Sequence, residues 1–391
     1  MKNILLDESK IPLSIYLHLP WCKKKCPFCD FNSHEIKNHF PEKEYCETLI
    51  GDFFRYLPLI KDRKVKTIFI GGGTPNLFSA DSIKLLVSKI RNSIELDANA
   101  EITMEANPDI NENEEYKVLQ QLNLLKDAGV NRFSIGIQSF NNKQLKNLGR
   151  TYNGDQAHLF LSTADKVFSN INVDLMYGTP EQLKSNAIDD VNLTCSFEIN
   201  HISMYQLAIE PNTLFYKNTP TLPEEDSIWN IYESNSEILK NKGFRKYEIS
   251  AFSTSKKECK HNLNYWKFGD YLGFGAGAHS KLTFEKRVKR HNFNKNPYKY
   301  INSSDLSRIR TINKIEQKDL IFEFMLNGLR LVDGVNLLDF EIRTGLTRKL
   351  IFSPIETAMK RGLLDSEGLI VKPTAKGLNF LNDLQMLFLE N

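Results

Sequence analysis

Short apolar segments alternate with longer amphipathic segments over the first half of the chain. The apolar segments cover residues 14–20, 66–70, 101–106, 132–137, 170–176 and 201–207. Helix-like stretches lie between them, including 79–94 and 114–128, and Gly129 occupies the position of a residue that ends a helix. This repeated strand–loop–helix pattern predicts an α/β fold with a parallel sheet covered by helices. Six strands in series predict an open or partial (β/α)6 barrel.

The pattern changes near residue 314. Helix-like segments follow at 317–331, 337–344 and 353–361, and the pattern then predicts a β-hairpin within 362–374 and a last helix over 375–389. Helices followed by a two-stranded wing predict a small winged-helix-like domain. We therefore expect a barrel domain over residues 1–310 and a C-terminal domain over 311–391.

Composition and charge argue against nucleic-acid-binding, membrane-spanning and secreted proteins. The 391 residues include 51 Lys and Arg against 48 Asp and Glu, a net charge of +3 that calls for no nucleic-acid partner. No segment approaches the ~18 apolar residues that span a bilayer. The N-terminal residues lack a signal-peptide core, so we expect the protein to be cytoplasmic.

Six cysteines in a chain of this length do not indicate a disulfide scaffold. Three of them, Cys22, Cys26 and Cys29, follow the first predicted strand with three and two intervening residues. We expect Cys46, Cys195 and Cys259, which are scattered, to be small buried apolar residues.

The clustered cysteines indicate a metal centre in a reducing cytosol. Three thiolates can hold three irons of a cubic iron–sulfur cluster and leave the fourth iron open for chemistry. We expect the neighbouring lysines to lower the pKa of the thiols. The alternative is a structural zinc site with His18 or His34 as the fourth ligand.

Unusual polar residues follow or interrupt the other predicted strands. The Gly-Gly-Gly-Thr-Pro turn at 71–75 would let the backbone approach a ligand, and it lacks the Lys-Ser/Thr ending of a phosphate-binding loop. Glu105 and Asp174 lie within apolar strands, where a buried carboxylate needs a partner. Gln138 and Arg150 add polar groups after the next strand. The alternative is a set of ion pairs inside the barrel.

The cysteine motif together with the glycine turn resembles the radical S-adenosylmethionine enzymes. Segments 16–20, 129–140 and 174–180 and the C-terminal module are similar to the oxygen-independent coproporphyrinogen III oxidase group, over nearly the whole chain. Within that group the chain resembles the haem-chaperone branch more than the oxidases. The oxidases carry a fourth cysteine where this chain has Phe31, and residues 261–266 match the HNxxYW element associated with haem.

The resemblance implies cofactors and residue roles. Cys22, Cys26 and Cys29 would hold a [4Fe–4S] cluster, and S-adenosylmethionine would bind the open iron. Tyr16, Gly72 and Glu105 match positions that contact this molecule. The positions that line a second S-adenosylmethionine site in the oxidase correspond here to Phe28, Gly73, Thr74, Gln138, Arg150, Asp174 and Ala208.

The haem prediction rests on His261, since an imidazole is a common axial ligand of haem iron. His261 could instead form only hydrogen bonds within the protein. His279, in a glycine-rich turn, is the reserve candidate, and we expect His201, at the start of a strand, to be structural.

By resemblance, the protein is expected to be a haem chaperone that transfers haem to an acceptor protein, such as one of the respiratory chain, without catalytic residues of its own. The alternative is a radical enzyme that oxidatively decarboxylates coproporphyrinogen III in porphyrin biosynthesis. The resemblance leaves open peripheral membrane association, and either a monomer or a cluster-dependent homodimer.

Overall fold

The computed structural model describes residues 6–37, 40–60, 62–108, 114–303 and 309–389. Part of the N-terminal segment that we assessed for a signal core lies outside these residues. The strands are β1 Leu13–Leu19, β2 Trp21–Cys22, β3 His34–Glu35, β4 Val65–Gly72, β5 Leu96–Ala106, β6 Arg132–Gln138, β7 Ile171–Tyr177, β8 His201–Gln206, β9 Arg245–Glu248, β10 Ala251–Ser253, β11 Asp270–Phe274, β12 His279–Phe284, β13 Arg287–Phe293, β14 Ile309–Lys314, β15 Val335–Asn336, β16 Leu364–Glu367 and β17 Ile370–Pro373.

The helices connect these strands and cover the sheet. They are α1 Glu42–Ile60, α2 Ala80–Arg91, α3 Glu115–Asp127, α4 Asn142–Asn147, α5 Gly154–Asp165, α6 Lys184–Thr194, α7 Leu214–Lys217, α8 Glu225–Asn241, α9 Lys260–Trp266, α10 Pro297–Asn302, α11 Gln317–Gly328, α12 Leu337–Thr344, α13 Phe352–Lys360, α14 Ala375–Asn379 and α15 Leu381–Met386. Within the described residues, no helix combines the length and apolar content needed to cross a bilayer.

Twelve of the described strands form one sheet, in the order β14-β13-β12-β11-β1-β4-β5-β6-β7-β8-β10-β9. All neighbours from β11 to β8 are parallel. The six predicted strands are β1, β4, β5, β6, β7 and β8, and they follow chain order across the sheet. The sheet is open, since β1 pairs with β11 on its outer side and β8 pairs with β10. The predicted partial (β/α)6 barrel is therefore confirmed.

Local sequence accounts for the elements of the barrel. β1 is buried on both faces, as its nearly continuous apolar run indicates. α2 begins after Ser79, whose hydroxyl accepts a hydrogen bond from the backbone N–H of Ser82. Gly129 follows α3 with φ +104°, a conformation that favours glycine, and this confirms it as the residue that ends the helix.

The sheet extends beyond the predicted strands on both sides. β10 and β9 continue it antiparallel past β8, and β12, β13 and β14 continue it past β11. Buried Lys281 of β12 bonds to Asp270 of β11 at 2.9 Å, and Arg63 bonds to the same carboxylate at 2.8 Å. This buried ion cluster joins β11 and β12 to the segment after α1.

A second hydrophobic cluster organises the C-terminal part, with Phe324, Phe340 and Val371 among its buried members. The predicted hairpin is present as β16 and β17, and β15 pairs with β17 to make a three-stranded sheet. The prediction of one last helix is wrong, because Phe380, with φ −113° and ψ 46°, separates α14 from α15. The boundary that we predicted between residues 310 and 311 falls within β14.

Candidate cofactor site

One cavity at the carboxyl ends of the parallel strands brings together most of the predicted site residues. Its lining includes Cys22, Cys26, Phe28, Cys29, Gly72, Gly73, Thr74, Glu105, Gln138, Arg150 and Asp174. Parallel strands place their carboxyl ends at the same edge of the sheet, so residues far apart in sequence meet there. We call this the cysteine cavity.

The cysteine loop, residues 22–33, is held at both ends. Its entry, Trp21, is fully buried, with its ring 4.7 Å from that of Tyr45. β2 pairs in parallel with β3 at the exit, and the Glu35 carboxylate accepts a 2.8 Å bond from the backbone N–H of Lys25. A 3.1 Å bond from the N–H of Cys29 to the carbonyl of Cys26 makes a turn inside the loop. The thiols are thus positioned by the backbone.

The expectation that nearby lysines lower the pKa of the thiols is wrong for Cys22. Burial, with the neighbouring thiols of Cys29 and Cys26, raises the pKa of Cys22 to about 11. Lys23 and Lys24 are exposed, and the Lys25 ammonium donates to the Phe31 carbonyl at 2.9 Å. A metal would therefore have to displace the Cys22 proton.

The glycine turn is bonded directly to the start of the cysteine loop. The N–H of Gly73 donates to the carbonyl of Leu19 at 2.9 Å, and that of Thr74 to the carbonyl of Trp21 at 2.7 Å. Gly72 has φ +125°, and a Cβ there would lie 2.8 Å from the His18 ring. The glycines are therefore required by this close approach of β4 to the segment after β1.

Glu105 lies at the end of β5 and faces the glycine turn. Its carboxylate accepts a 2.9 Å bond from the N–H of Gly72, and no cation among the described residues is paired with it. Burial and the nearby Asp174 raise the pKa of Glu105 to about 7, against the lowering effect of the Gly72 N–H. The carboxylate would be stabilised by a cationic group of a ligand.

Glu105→Gln is expected to flatten the dependence of thermal stability on pH. The folded protein binds the Glu105 proton up to a pKa of about 7, whereas the unfolded chain loses it near 4.5. The free energy of unfolding therefore falls as pH rises from 4.5 to 7, by at most about 3 kcal/mol from this group. Melting temperatures at about pH 5 and pH 8 should differ less in the variant than in the parent.

Exposed Glu198, changed to glutamine, is the matched control and should reproduce the parent's pH dependence. Asp174 also has a pKa raised by desolvation, so part of the dependence should survive in Glu105→Gln. If the melting temperatures of the parent and of Glu105→Gln changed equally between pH 5 and pH 8, the raised pKa assigned to Glu105 would be incorrect.

Arg150 connects the cysteine loop to the strand ends. Its guanidinium lies 3.3 Å from the Cys26 sulfur and donates to the side-chain oxygen of Asn107 at 2.6 Å and to the carbonyl of Gly136 at 3.1 Å. Tyr152 accepts a 2.9 Å bond from Arg150 Nε. Gln138 adopts φ +64°, which is uncommon for a residue with a side chain and is found at functional sites.

Sequence reasoning missed Asn107 and Tyr152. Asn107 also donates to the Thr74 hydroxyl at 2.9 Å, so it joins Arg150 to the glycine turn. Its position directly after β5, before a proline, was the only signal of its role.

Asp174 points into a polar network inside the barrel. Its carboxylate accepts a 2.8 Å bond from Asn172, which also bonds His201 at 2.6 Å. The other ring nitrogen of His201 bonds Tyr247 at 2.9 Å, consistent with the expected structural role. Burial raises the pKa of Asp174, whereas its neutral hydrogen-bond partners and the nearby charge of Arg132 lower it.

Three predicted residues lie outside the cysteine cavity, namely Tyr16, Ala208 and His261. Tyr16 lines a neighbouring cavity, which also contains Gly72 and Glu105. Ala208 is exposed and lines a separate cavity near α8, away from the other members of the second S-adenosylmethionine set. That second site stays a prediction.

His261 has 1% of its surface exposed and lines a small inner cavity of about 180 Å³, together with Tyr16, Glu105 and Asp174. Nδ1 lies 2.7 Å from the Thr67 hydroxyl and Nε2 lies 2.9 Å from the Tyr265 hydroxyl. Burial lowers its pKa to about 3. Both ring nitrogens are therefore occupied, as in the structural alternative, and the haem role of His261 stays a prediction.

The two histidines of the zinc alternative are also engaged. His18 bonds the Tyr16 hydroxyl and the Asn32 carbonyl, both at 3.0 Å, through its two nitrogens. His34 Nε2 lies 3.2 Å from both the Asn32 side-chain oxygen and the Lys295 carbonyl. In the described part of the chain, no three His, Cys, Asp or Glu side chains are grouped closely enough to share one metal ion.

Comparison with known proteins identifies the family. The Radical SAM superfamily matches residues 16–193, and the HemN C-terminal domain matches residues 315–380. Heme chaperone HemW of Haemophilus influenzae is 42% identical over 385 residues, which cover 97% of this chain and 98% of that protein. Heme chaperone HemW of Escherichia coli is 40% identical over 380 residues, with 97% and 98% covered.

Among solved structures, coproporphyrinogen III oxidase (HemN) from Escherichia coli has a TM-score of 0.80 and 22% identity, over 98% of this chain and 91% of that one. This likeness shows the fold, including the C-terminal domain. Since both HemW proteins exceed 30% identity over almost their whole length, this chain belongs to the HemW family within the radical SAM superfamily.

Proposed function

We propose that the protein is a cytoplasmic haem chaperone, which binds haem and passes it to an acceptor protein. We propose further that it carries a [4Fe–4S] cluster and S-adenosylmethionine. The observation that carries the proposal is the match to HemW proteins, which are named heme chaperones and align with nearly all of this chain.

Three cysteines of one loop line the cysteine cavity, and thiolates are the ligands that hold iron–sulfur clusters. In a cubic cluster each thiolate binds a different iron. Cys22, Cys26 and Cys29 would hold three irons, and the Arg150 guanidinium beside Cys26 would balance negative charge.

The glycine turn and Glu105 support S-adenosylmethionine at the open iron. Glu105 has no cationic partner among the described residues, and the amino group of the ligand would supply one. Gly72 and Gly73 leave the backbone accessible along the cavity wall. When bound, the cluster and S-adenosylmethionine would supply one-electron chemistry, while the protein residues bind and orient them.

Haem binding and porphyrinogen oxidation can be separated experimentally. The protein, reconstituted anaerobically with iron and sulfide, should bind hemin in about a 1:1 ratio with a defined Soret band, and should release haem to an apo-acceptor such as apomyoglobin. With dithionite, S-adenosylmethionine and coproporphyrinogen III it should form no protoporphyrinogen IX. Efficient formation of that product would instead favour the oxidase function.

The proposal includes the cluster, the acceptor, the association with membranes and the oligomeric state. The last two can be tested directly. Size-exclusion chromatography of apo and reconstituted protein would show whether a homodimer depends on the cluster. Flotation with lipid vesicles would test peripheral membrane association. A dimer in both forms would exclude the cluster-dependent assembly.

A further inference from the structure

A second cavity, of about 520 Å³, lies between the cysteine loop and the antiparallel extension of the sheet. It shares Gly72, Glu105 and Phe31 with the cysteine cavity. Its volume lies within the roughly 300–1,000 Å³ of small-molecule sites. We call it the extension cavity.

The extension cavity has an aromatic lining. Tyr265, Trp266 and Tyr271 line one side, and Phe31, with 61% of its surface exposed, lines the side formed by the cysteine loop. Such a lining fits a large, flat, apolar ligand, because aromatic rings offer broad contact surfaces. Phe31 lies at the junction of both cavities, so a ligand in either one would contact it.

His279 is exposed and lines this cavity. It begins β12 and lies opposite Asn292 of β13 in the sheet, and Lys281 lies opposite Arg290. Paired residues of an antiparallel sheet lie on the same face, which places His279 on the face that carries Lys281 and Arg290. Among the described residues, the His279 ring has no hydrogen-bond partner.

The wall that carries His279 is fixed to the cysteine loop. The side-chain amide of Asn32 donates to the Ala276 carbonyl at 2.8 Å and to the Lys295 carbonyl at 2.9 Å. A Cβ on Gly277 would lie 2.9 Å from Asn32 Cγ, so the glycine-rich turn before β12 fits closely against the loop. A ligand on His279 would therefore lie beside the cofactor site.

Cations line the same cavity. The ammonium group of Lys281 is engaged in its ion pair with Asp270. The guanidinium of Arg290 donates to the Glu323 carboxylate at 2.6 Å and to the Tyr271 hydroxyl at 2.8 Å. Lys295 is exposed, and its ammonium group has no described partner, since only its backbone carbonyl is used. Burial and the charges of Arg290 and Lys295 lower the pKa of His279, which favours the neutral imidazole that can bind a metal.

The geometry points to the extension cavity as the haem site, with His279 as the imidazole ligand of the haem iron and Lys295 as a partner of a haem propionate. This assignment rests on the proposed haem-binding function. His261 then acts within the protein, where its ring joins Thr67 to Tyr265. In this assignment the imidazole of His279 donates a nitrogen lone pair to the haem iron, and no other bond is formed.

Hemin titration of three variants tests the iron ligand. His279→Ala should shift the Soret band and weaken binding at least roughly tenfold, since even indirect support of a metal ligand is worth 10- to 100-fold. Added imidazole should restore the parent spectrum. His261→Asn should keep the parent Soret band, and His158→Ala, at an exposed histidine on α5, should keep both the parent Soret band and the parent affinity. Circular dichroism and iron content would show that each variant is folded.

The outcomes separate this inference from the proposed function. If the parent binds hemin and His279→Ala matches it in spectrum and affinity, the assignment of His279 is overturned while haem binding stands. Loss of the parent spectrum in His261→Asn alone would return the ligand to His261. If the parent binds no hemin, the proposed function itself fails.

Lys295→Ala tests the position of the propionates. It should weaken hemin binding several-fold and leave binding of hemin dimethyl ester, which lacks free carboxylates, unchanged. Lys240→Ala, at an exposed lysine near the end of α8 and outside both cavities, is the matched control and should change neither. Equal effects of Lys295→Ala on both ligands would overturn the propionate assignment.

Discussion

Cys29→Ser is expected to abolish the iron–sulfur cluster. A serine hydroxyl stays protonated near neutral pH and is a poor replacement for a soft thiolate at iron. Cys29 lies on the turn that begins at Cys26 and lines the cavity with the other two thiols. After anaerobic reconstitution, iron and acid-labile sulfide should fall from about four per chain in the parent to near zero, with loss of the broad visible absorption.

Cys195→Ser is the matched control, since Cys195 is partly buried at the end of α6, away from the cysteine loop. It should retain the parent's iron and sulfide. If Cys29→Ser kept its iron, or if the parent held one zinc per chain and no sulfide, the cluster assignment would be incorrect. Cys22→Ser and Cys26→Ser should behave as Cys29→Ser does.

The barrel was predictable because its strands are buried on both faces. Such strands are short continuous apolar runs, as in β1 and β4, and their regular spacing indicates a parallel sheet. β13, with the sequence RVKRHNF, has no such run. β12 contains Lys281, a lysine that is buried only because Asp270 neutralises it across the sheet. A partner that is distant in sequence therefore concealed the extension from local pattern analysis.

The site was predictable to the extent that function requires unusual residue types at strand ends. Cysteines, a glycine turn and acidic residues within apolar strands are conspicuous in sequence, and they do line one cavity. Asn107 was not predictable, since an asparagine before proline is common in turns. Only the fold shows that it bonds both Thr74 and Arg150.

The histidines show the same limit. A motif match singles out His261, but burial and two hydrogen bonds are tertiary facts that no local pattern contains. His279 lies in a glycine-rich segment that is weakly patterned. Its exposure in a cavity follows from the pairing of β12 with β13, which the sequence did not predict.

Gly73→Ala is expected to disrupt the junction between the glycine turn and the cysteine loop. A Cβ at this position would overlap the Trp21 carbonyl group, at 2.7 Å from its carbon atom. That carbonyl accepts the hydrogen bond from Thr74, and the buried Trp21 ring packed on Tyr45 prevents it from moving away. We expect a loss of about 2–3 kcal/mol in the free energy of unfolding, measured by denaturant titration, and poor retention of iron after reconstitution.

Gly51→Ala separates this clash from a general effect of losing a glycine. Gly51 is exposed within α1, and a Cβ there would meet no atom within 4 Å, so alanine should stabilise the protein by up to about 1 kcal/mol. Gly73 has no positive φ, so its intolerance would come from space alone. If Gly73→Ala were as stable as the parent and kept its iron, the segment after β1 would have to move away from the new methyl group. The cysteine loop would then not depend on close contact with the glycine turn.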